Sequence, residues 1–353
     1  MPLDPWLQKK WDALSEVLDL HVLNAGSGDG DERFHLLADD AAGFYSSLPF
    51  AVAGELRSFR PGVIVASDPY VAAGVRVGRR LARSSARLVV EVHGDPRTFA
   101  RAYGSPLRRV VAPVTDAIAS SSIRRADATR ALSRFTSSIV EDVRGRPATA
   151  SFPTYSDLEA FSEPPVTAVP AEGRIVFVGA LEAYKNVDGL SAAWRKVVER
   201  LPDARLTVIG DGARRAVIDA LVAQVPGVEH VVSLPPSAVA ASIDRSRALV
   251  LPSWPEGLGR VVLEAFARGR TVVATDAGGI PDIVTDGEDG LLVPRADTEA
   301  LVVALCRILE NHALAAELGV AARRTYASWH QTPADFAASY RALIDSVSAE
   351  PHP

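Results

Sequence analysis

ALVLPSWPEGLGRVVLEAFARGRTVVATDAGGIPD, running from Ala248 to Asp282, is the stretch from which the rest of the chain can be read. Its first apolar run, ALVLP, ends at Pro252 and Pro255, and an acid-glycine turn follows at Glu256, Gly257 and Gly259. A segment of period 3.6 then leads to a second apolar run, TVVAT, closed by Gly278, Gly279, Ile280 and Pro281. That order predicts strand, loop, helix, strand, loop. In such units ligands sit beyond the carboxyl ends of the strands, and a helix opened by glycines turns unpaired amides and the positive end of its dipole outward. The chemistry fits a phosphate. The two acids, Glu256 and Glu264, differ in setting: the first is in the loop, the second inside VVLEAFA. On that apolar face an unpaired carboxylate is costly, so Glu264 calls for hydroxyl or amide donors. The plain alternative is a surface acid near a helix start and a helical acid in an ion pair.

Outward from this unit the same alternation fills the chain. Toward the N-terminus it predicts strands at RIVFVG, RLTVIG and HVVSL, each followed by a helix, and before them VIVAS, RLVVEVH, ATRALS and TASFP with helices between. A helix over residues 5–20 and a short strand LHVLN open the chain, and helices at about 298–310, 313–327 and 333–348 close it. Repeated strand-helix alternation implies parallel sheets with helices on both faces. The fold class is therefore α/β, two doubly wound Rossmann-like domains in tandem. The expected division is 1–158, a proline- and acid-rich linker over 159–172, and a second domain over 173–330. The glycine-acid loop GSGDGDE resembles a phosphate cradle only superficially, because Asp29, Asp31 and Glu32 would repel the ligand. A Rossmann-like domain normally opens on a buried central strand, whereas this chain opens at the helix after it. The expectation is a first sheet without its middle strand, and Met1 as an internal methionine of a longer reading frame.

Composition narrows the function classes. The 353 residues are 48% hydrophobic and 23% charged, with net charge -5, which suits a globular protein with two cores. No apolar run reaches the roughly 18 residues of a membrane span, and MPLDPWLQKKWDAL has no signal-peptide core, so action in the cytoplasm is expected. The single cysteine, Cys306, excludes an internal disulfide and reads as a small core residue. The seven histidines show no local ligand spacing, so no metal site is expected. Charge is uneven: residues 76–134 hold thirteen arginines against Glu91, Asp95, Asp116 and Asp127. This is either a solvated helical face or a contact for anionic headgroups at the inner membrane face or for an acidic acceptor. Nucleic acid is not an expected partner, because interleaved aromatics are missing.

PSWPEGLGRVVLEAFARGRTVVATDAGGIPDIVTDGEDGLLV, with RIVFVGALEAYKN, LTVIGDG and VSLPP upstream at the right intervals, closely resembles the retaining, sugar-nucleotide-dependent glycosyltransferases of GT-B fold, family four. In the first half the resemblance rests on EVHGD, DATRALS and FPTYSDLEAF, and FAASYRALID resembles the final helix, residues 331–353, that returns to the first domain. The resemblance implies two Rossmann-like domains facing across a cleft, the second of them binding the donor. It implies that Glu264 accepts from ribose hydroxyls and that Glu256 holds donor-sugar hydroxyls. The amides of Gly257, Leu258 and Gly259 would meet the sugar or distal phosphate, and Lys185 would neutralise the leaving diphosphate beside the backbone of Gly179. Ser233 and Leu234 would lie near the base, and His93 would face the donor sugar from the first domain. No cofactor is implied beyond the nucleotide-sugar co-substrate, and no metal. The sequence departs from the family at Ala180, where an arginine is usual.

The implied activity is sugar transfer from a nucleoside-diphosphate sugar to an acceptor hydroxyl with retention. The acceptor stays open among a polysaccharide, a lipid-linked acceptor and a small natural product. Two alternatives share the fold: a non-catalytic nucleotide-sugar-binding or partner subunit, and a phosphorylase. A nicotinamide dehydrogenase is disfavoured, because Gly210-Asp211-Gly212 is followed by Arg215 where the dinucleotide fingerprint requires a small residue.

Overall fold

The structure, a computed structural model, describes residues 5–26, 33–97, 106–163 and 166–349. Asp29, Asp31 and Glu32, and residues 98–105 of the helical stretch expected after Pro96, lie outside the described residues. The chain divides into two compact units, Met1–Ser156 with Gln331–Pro353, and Asp157–His330.

The first unit contains α1 (Pro5–Val17), β1 (Val22–Asn24), β2 (Phe34–Leu36), α2 (Ala41–Ser58), β3 (Val63–Ala66), α3 (Pro69–Ala82), β4 (Arg87–Val92), α4 (Pro106–Arg124), β5 (Ala128–Ala131), α5 (Arg134–Arg144) and β6 (Ala150–Ser151). Its described strands form two separate parallel sheets, β1-β2 and β3-β4-β5-β6. Every residue of β4 and β5 is buried, whereas Val63, Ile64 and Val65 of β3 are only half-buried. β4 and β5 are the inner strands of this sheet and β3 an edge strand, and the LVV run of β4 suits a strand covered on both faces, which needs apolar residues without alternation. The start of α3 is fixed locally: Asp68 accepts from the amides of Tyr70 and Val71, and Pro69 occupies the first turn.

The second unit contains α6 (Glu159–Ser162), β7 (Arg174–Val178), a 3-10 turn (Ala183–Lys185), α7 (Val187–Arg200), β8 (Arg205–Ile209), α8 (Arg215–Gln224), β9 (Val228–Val231) and α9 (Pro236–Asp244). It continues through β10 (Ala248–Leu251), α10 (Arg260–Ala267), β11 (Thr271–Thr275), α11 (Ile280–Ile283), β12 (Gly290–Val293), α12 (Thr298–Glu310) and α13 (His312–Trp329). One parallel sheet has the order β12-β11-β10-β7-β8-β9. Period-two alternation sorts its side chains into two cores. Ile175, Phe177, Val208, Val250 and Val273 face Trp194 and Leu305, while Val176, Leu249, Leu251, Val272 and Ala274 face Phe266 and Ala322. The direction in which strands are added reverses between β7 and β10, because β8 and β9 extend one way and β11 and β12 the other. That is the switch point at which open α/β sheets bind ligands, beyond the strands' carboxyl ends.

The segment expected as a linker is built into the second unit. Phe161 of α6 is 2% exposed, and buried Arg270 donates to the carbonyls of Thr167 and Ala168. Arg247 likewise donates to the carbonyls of Pro170 and Ala171. The segment's proline-rich composition gives no sign of this, because what holds it is arginines some 75–105 residues away in sequence. The strands β2 and β12 and the short α11 were not expected either; each is four residues or fewer, too short to show a period.

The last helix, α14 (Pro333–Ala349), belongs to the first unit. Its Phe336 and Tyr340 pack with Leu14 of α1 and Tyr155, and its Leu343 and Val347 with Val89 and Ala128.

Candidate functional site

At the carboxyl end of β7 the chain turns through Gly179 (φ +155°) and at that of β8 through Gly210 (φ +147°). The loops are tightly stacked: a Cβ on Gly210 would lie 1.9 Å from the Gly179 carbonyl oxygen. Gly179 N–H donates to Ile209 O (3.0 Å) and Leu181 N–H to Asp211 O (2.8 Å). This stacking directs the chain into the 3-10 turn that carries Lys185. Beyond β10, Trp254 N–H donates to Tyr184 O at 2.6 Å, tying the Pro252–Glu256 loop to the same turn.

The two loops therefore converge. Lys185 Nζ donates to Glu256 Oε1, and both side chains are only 12% exposed. Glu256 is held from the other side by the diglycine. Gly279 N–H donates to Glu256 O (2.8 Å), and Gly278, at φ +65°, approaches so closely that a Cβ would lie 2.1 Å from that oxygen. Gly259, at φ +89°, is the N-cap of α10 and offers no side chain to cap its first turn. Gly257 and Leu258 lead into this helix start, where the positive end of the helix dipole lies.

Glu264 is 8% exposed on α10 and pairs with Arg260 at 3.1 Å. Burial raises its pKa, while Arg260 and, more weakly, Lys185 oppose the rise. The expected apolar setting is present, but a partner is too: Arg260, one turn earlier, makes the helical ion pair that sequence reasoning placed among the alternatives. The i,i+4 spacing was the available signal.

Of the residues singled out in sequence, the second unit brings Gly179, Lys185, Glu256, Gly257, Leu258, Gly259 and Glu264 to the carboxyl ends of β7 and β10 and the start of α10. Exposed Ser233 and half-buried Leu234 follow β9, two strands from β7. Ala180 is exposed beside Gly179.

His93 belongs to the first unit and follows the carboxyl end of β4. Its Nε2 donates to Glu91 Oε2 at 2.9 Å, and its side chain is 41% exposed. Glu91 is the residue that sequence reasoning missed. It is 6% exposed and also accepts from Arg130 of β5, itself 1% exposed, and from Tyr340 of α14. Burial by itself would raise the Glu91 pKa, but the His93 hydrogen bond and the Arg130 charge lower it to about 2. Arg130 also donates to the carbonyls of Phe152 (3.1 Å) and Pro153 (2.8 Å) and lies 4.1 Å over the Phe152 ring. Glu91 near the end of β4 and His93 just beyond it are two residues apart, a signal too common to stand out.

The site and the sheets define a class. Residues 172–311 match the family described as Glycosyl transferases group 1, and residues 15–151 match the Glycosyl transferase 4-like domain. The chain belongs to the group 1, family-four glycosyltransferases of GT-B fold. It is similar to D-inositol 3-phosphate glycosyltransferase of Corynebacterium aurimucosum, 34% identical over 44% of this chain and 39% of that one. It is also similar to sulfoquinovosyl transferase SQD2 of Arabidopsis thaliana, 33% identical over 44% of this chain and 30% of that one. The matches thus span well under half the length of these relatives. Among solved structures, sucrose-phosphate synthase of Thermosynechococcus elongatus superposes with TM-score 0.78 at 21% identity, covering 97% of this chain and 93% of that one. Anabaena HepE in complex with UDP and glucose superposes at 0.69 with 17% identity, covering 93% and 99%.

Proposed function

We propose that the protein transfers a sugar from a nucleoside-diphosphate sugar to an acceptor hydroxyl with retention of configuration. The observation that carries this is the grouping of Lys185, Glu256 and buried Glu264 where β7 and β10 diverge. Breaking a sugar-phosphate bond develops positive charge on the ring and negative charge on the diphosphate. Fixed positive groups at the phosphates and a tightly oriented sugar are therefore required. Lys185 and the start of α10 supply the first, and Glu256 supplies the second by accepting from sugar hydroxyls. Because an ammonium has three donors, Lys185 can keep Glu256 while reaching a phosphate oxygen. Glu264 accepts from the ribose hydroxyls, whose desolvated donors relieve a carboxylate that burial disfavours. The incoming hydroxyl attacks from the face the leaving group departs, its proton passing to a phosphate oxygen. The base is uracil in this reading, supported by HepE having been solved with UDP and with UDP-glucose.

The test is a melting series with UDP, GDP, ADP, CDP and dTDP, followed by assay of nucleoside diphosphate release with donor and acceptor. Stabilisation by about 2.7 kcal/mol is expected from one nucleotide at a hundredfold excess over Kd. Lys185→Ala should abolish release. A second reading is favoured by Ala180, where the missing arginine removes a cation worth on the order of a few kcal/mol at a diphosphate. A nucleotide-binding subunit would show the melting shift with no turnover.

We further propose a peripheral contact with anionic lipid through residues 76–134. On α3 and α4, Val77, Val114 and Ile118 are 46%, 62% and 41% exposed. They line a groove of about 370 Å³ together with Arg76 and Arg80. Burial and then the charges of Arg125, Arg80 and Arg79 lower the Arg76 pKa, so like charges are crowded there and an anion would relieve them. Among the described residues no helix is long and apolar enough to cross a membrane.

A further inference from the structure

Three side chains distant in sequence converge within the first unit. His21 directly precedes β1, His35 is the middle residue of β2, and Glu55 lies in the last turn of α2. Glu55 Oε2 is 2.8 Å from His21 Nδ1, and Oε1 is 3.4 Å from His35 Nδ1. One ligand atom from each residue falls within a set spanning at most 4.8 Å. The rings are held in place: His21 stacks on Phe59 (centroids 3.9 Å apart, 10° between planes) and against His35 (5.0 Å, 28°).

We propose that His21, His35 and Glu55 form a Zn²⁺ site, with water in the fourth position. Two imidazoles and one carboxylate are a donor set suited to zinc rather than magnesium or calcium, which take oxygen ligands. Ligands at about 2.0–2.2 Å in a tetrahedron stand roughly 3.3–3.6 Å apart; the His35–Glu55 separation of 3.4 Å has that spacing, and the His21–Glu55 separation of 2.8 Å would open by under 1 Å to admit the ion. His35 also has a second ring nitrogen, Nε2, buried without a hydrogen-bond partner, a donor atom that its contact with Glu55 does not use. The ion would join strand, strand and helix. β1 and β2 have three residues each, and a two-stranded sheet of that length has little stability of its own. A metal bound across it would fasten the sheet to α2.

The chelator-stripped full chain is titrated with ZnCl₂ by calorimetry and with CoCl₂ by visible absorption, with MgCl₂ as control. Expected are one saturable site with Kd on the order of 1 µM or tighter, a visible cobalt band characteristic of tetrahedral geometry, and no heat with Mg²⁺. His21→Ala and His35→Ala should each weaken binding about 100-fold, and His93→Ala should leave it unchanged. Should an alanine variant fail to fold, Glu55→Gln decides, since it keeps the side-chain shape but is a poor ligand. No saturable Zn²⁺ binding, or affinity in Glu55→Gln and the histidine variants equal to the parent's, would overturn the proposal and leave two imidazoles sharing one carboxylate.

Discussion

Replacing Glu91 with glutamine tests the support behind His93. In the native unit the carboxylate is buried between the Arg130 guanidinium, the Tyr340 hydroxyl and His93 Nε2. Its pKa of about 2 stands against an ordinary 4.5, which corresponds to about 3 kcal/mol of stability at about 1.36 kcal/mol per pH unit. The folded pKa lies below the unfolded one, so this contribution is complete above about pH 4.5 and declines as pH falls toward 2. Glu91→Gln also leaves Arg130, 1% exposed, without a counter-charge, and breaking buried pairs one-sidedly costs about 3–5 kcal/mol. Calorimetric melting at pH 7 should show a loss of about 3 kcal/mol, a fall of roughly 6–12 °C for a unit of this size. The difference from the parent should shrink between pH 4.5 and the lowest accessible pH. The double variant Glu91→Leu with Arg130→Met should recover most of the loss, because neither charge then remains buried. A loss under about 1 kcal/mol, or one that does not shrink with acid, would refute the account of Glu91 as an ionised, charge-paired anchor.

The remaining expectations concern the donor site and the basic face. Glu264→Gln should melt no lower than the parent without nucleotide, because burial already disfavours its charge, yet lose the nucleotide-dependent rise; a retained rise would show that Glu264 does not hold the ribose. Gly278→Ala should cost more than about 1 kcal/mol, since a side chain at φ +65° is strained and its Cβ would meet Glu256 O at 2.1 Å, and urea denaturation reads the change. Arg76→Glu with Arg80→Glu should abolish sedimentation with phosphatidylglycerol vesicles while leaving the nucleotide shift intact. Binding of the parent should weaken as salt rises, and vesicle binding indifferent to both would count against the lipid contact.

The alternation of apolar runs with 3.6-period segments was enough to give two parallel α/β units, because strands buried on both faces and amphipathic helices leave different periods in the sequence. The acid-glycine loop between β10 and α10 was equally legible. Glu256, Gly257, Gly259, Glu264 and Gly278 lie within one strand-helix-strand unit, so local geometry assembles most of the site. What sequence could not show depends on pairs far apart in the chain. Lys185 meets Glu256 across 71 residues, and Tyr340 reaches Glu91 across 249. Arg270 fastens Thr167 across 103, which turns an apparent linker into part of a unit. The absence of metal-ligand spacing was likewise a statement about neighbours, and His21, His35 and Glu55 meet only because β1, β2 and α2 pack together. Secondary structure follows from short-range periodicity, which the chain carries openly. Which charges end up buried together is decided by the packing of distant elements, where desolvation makes each partner's position matter.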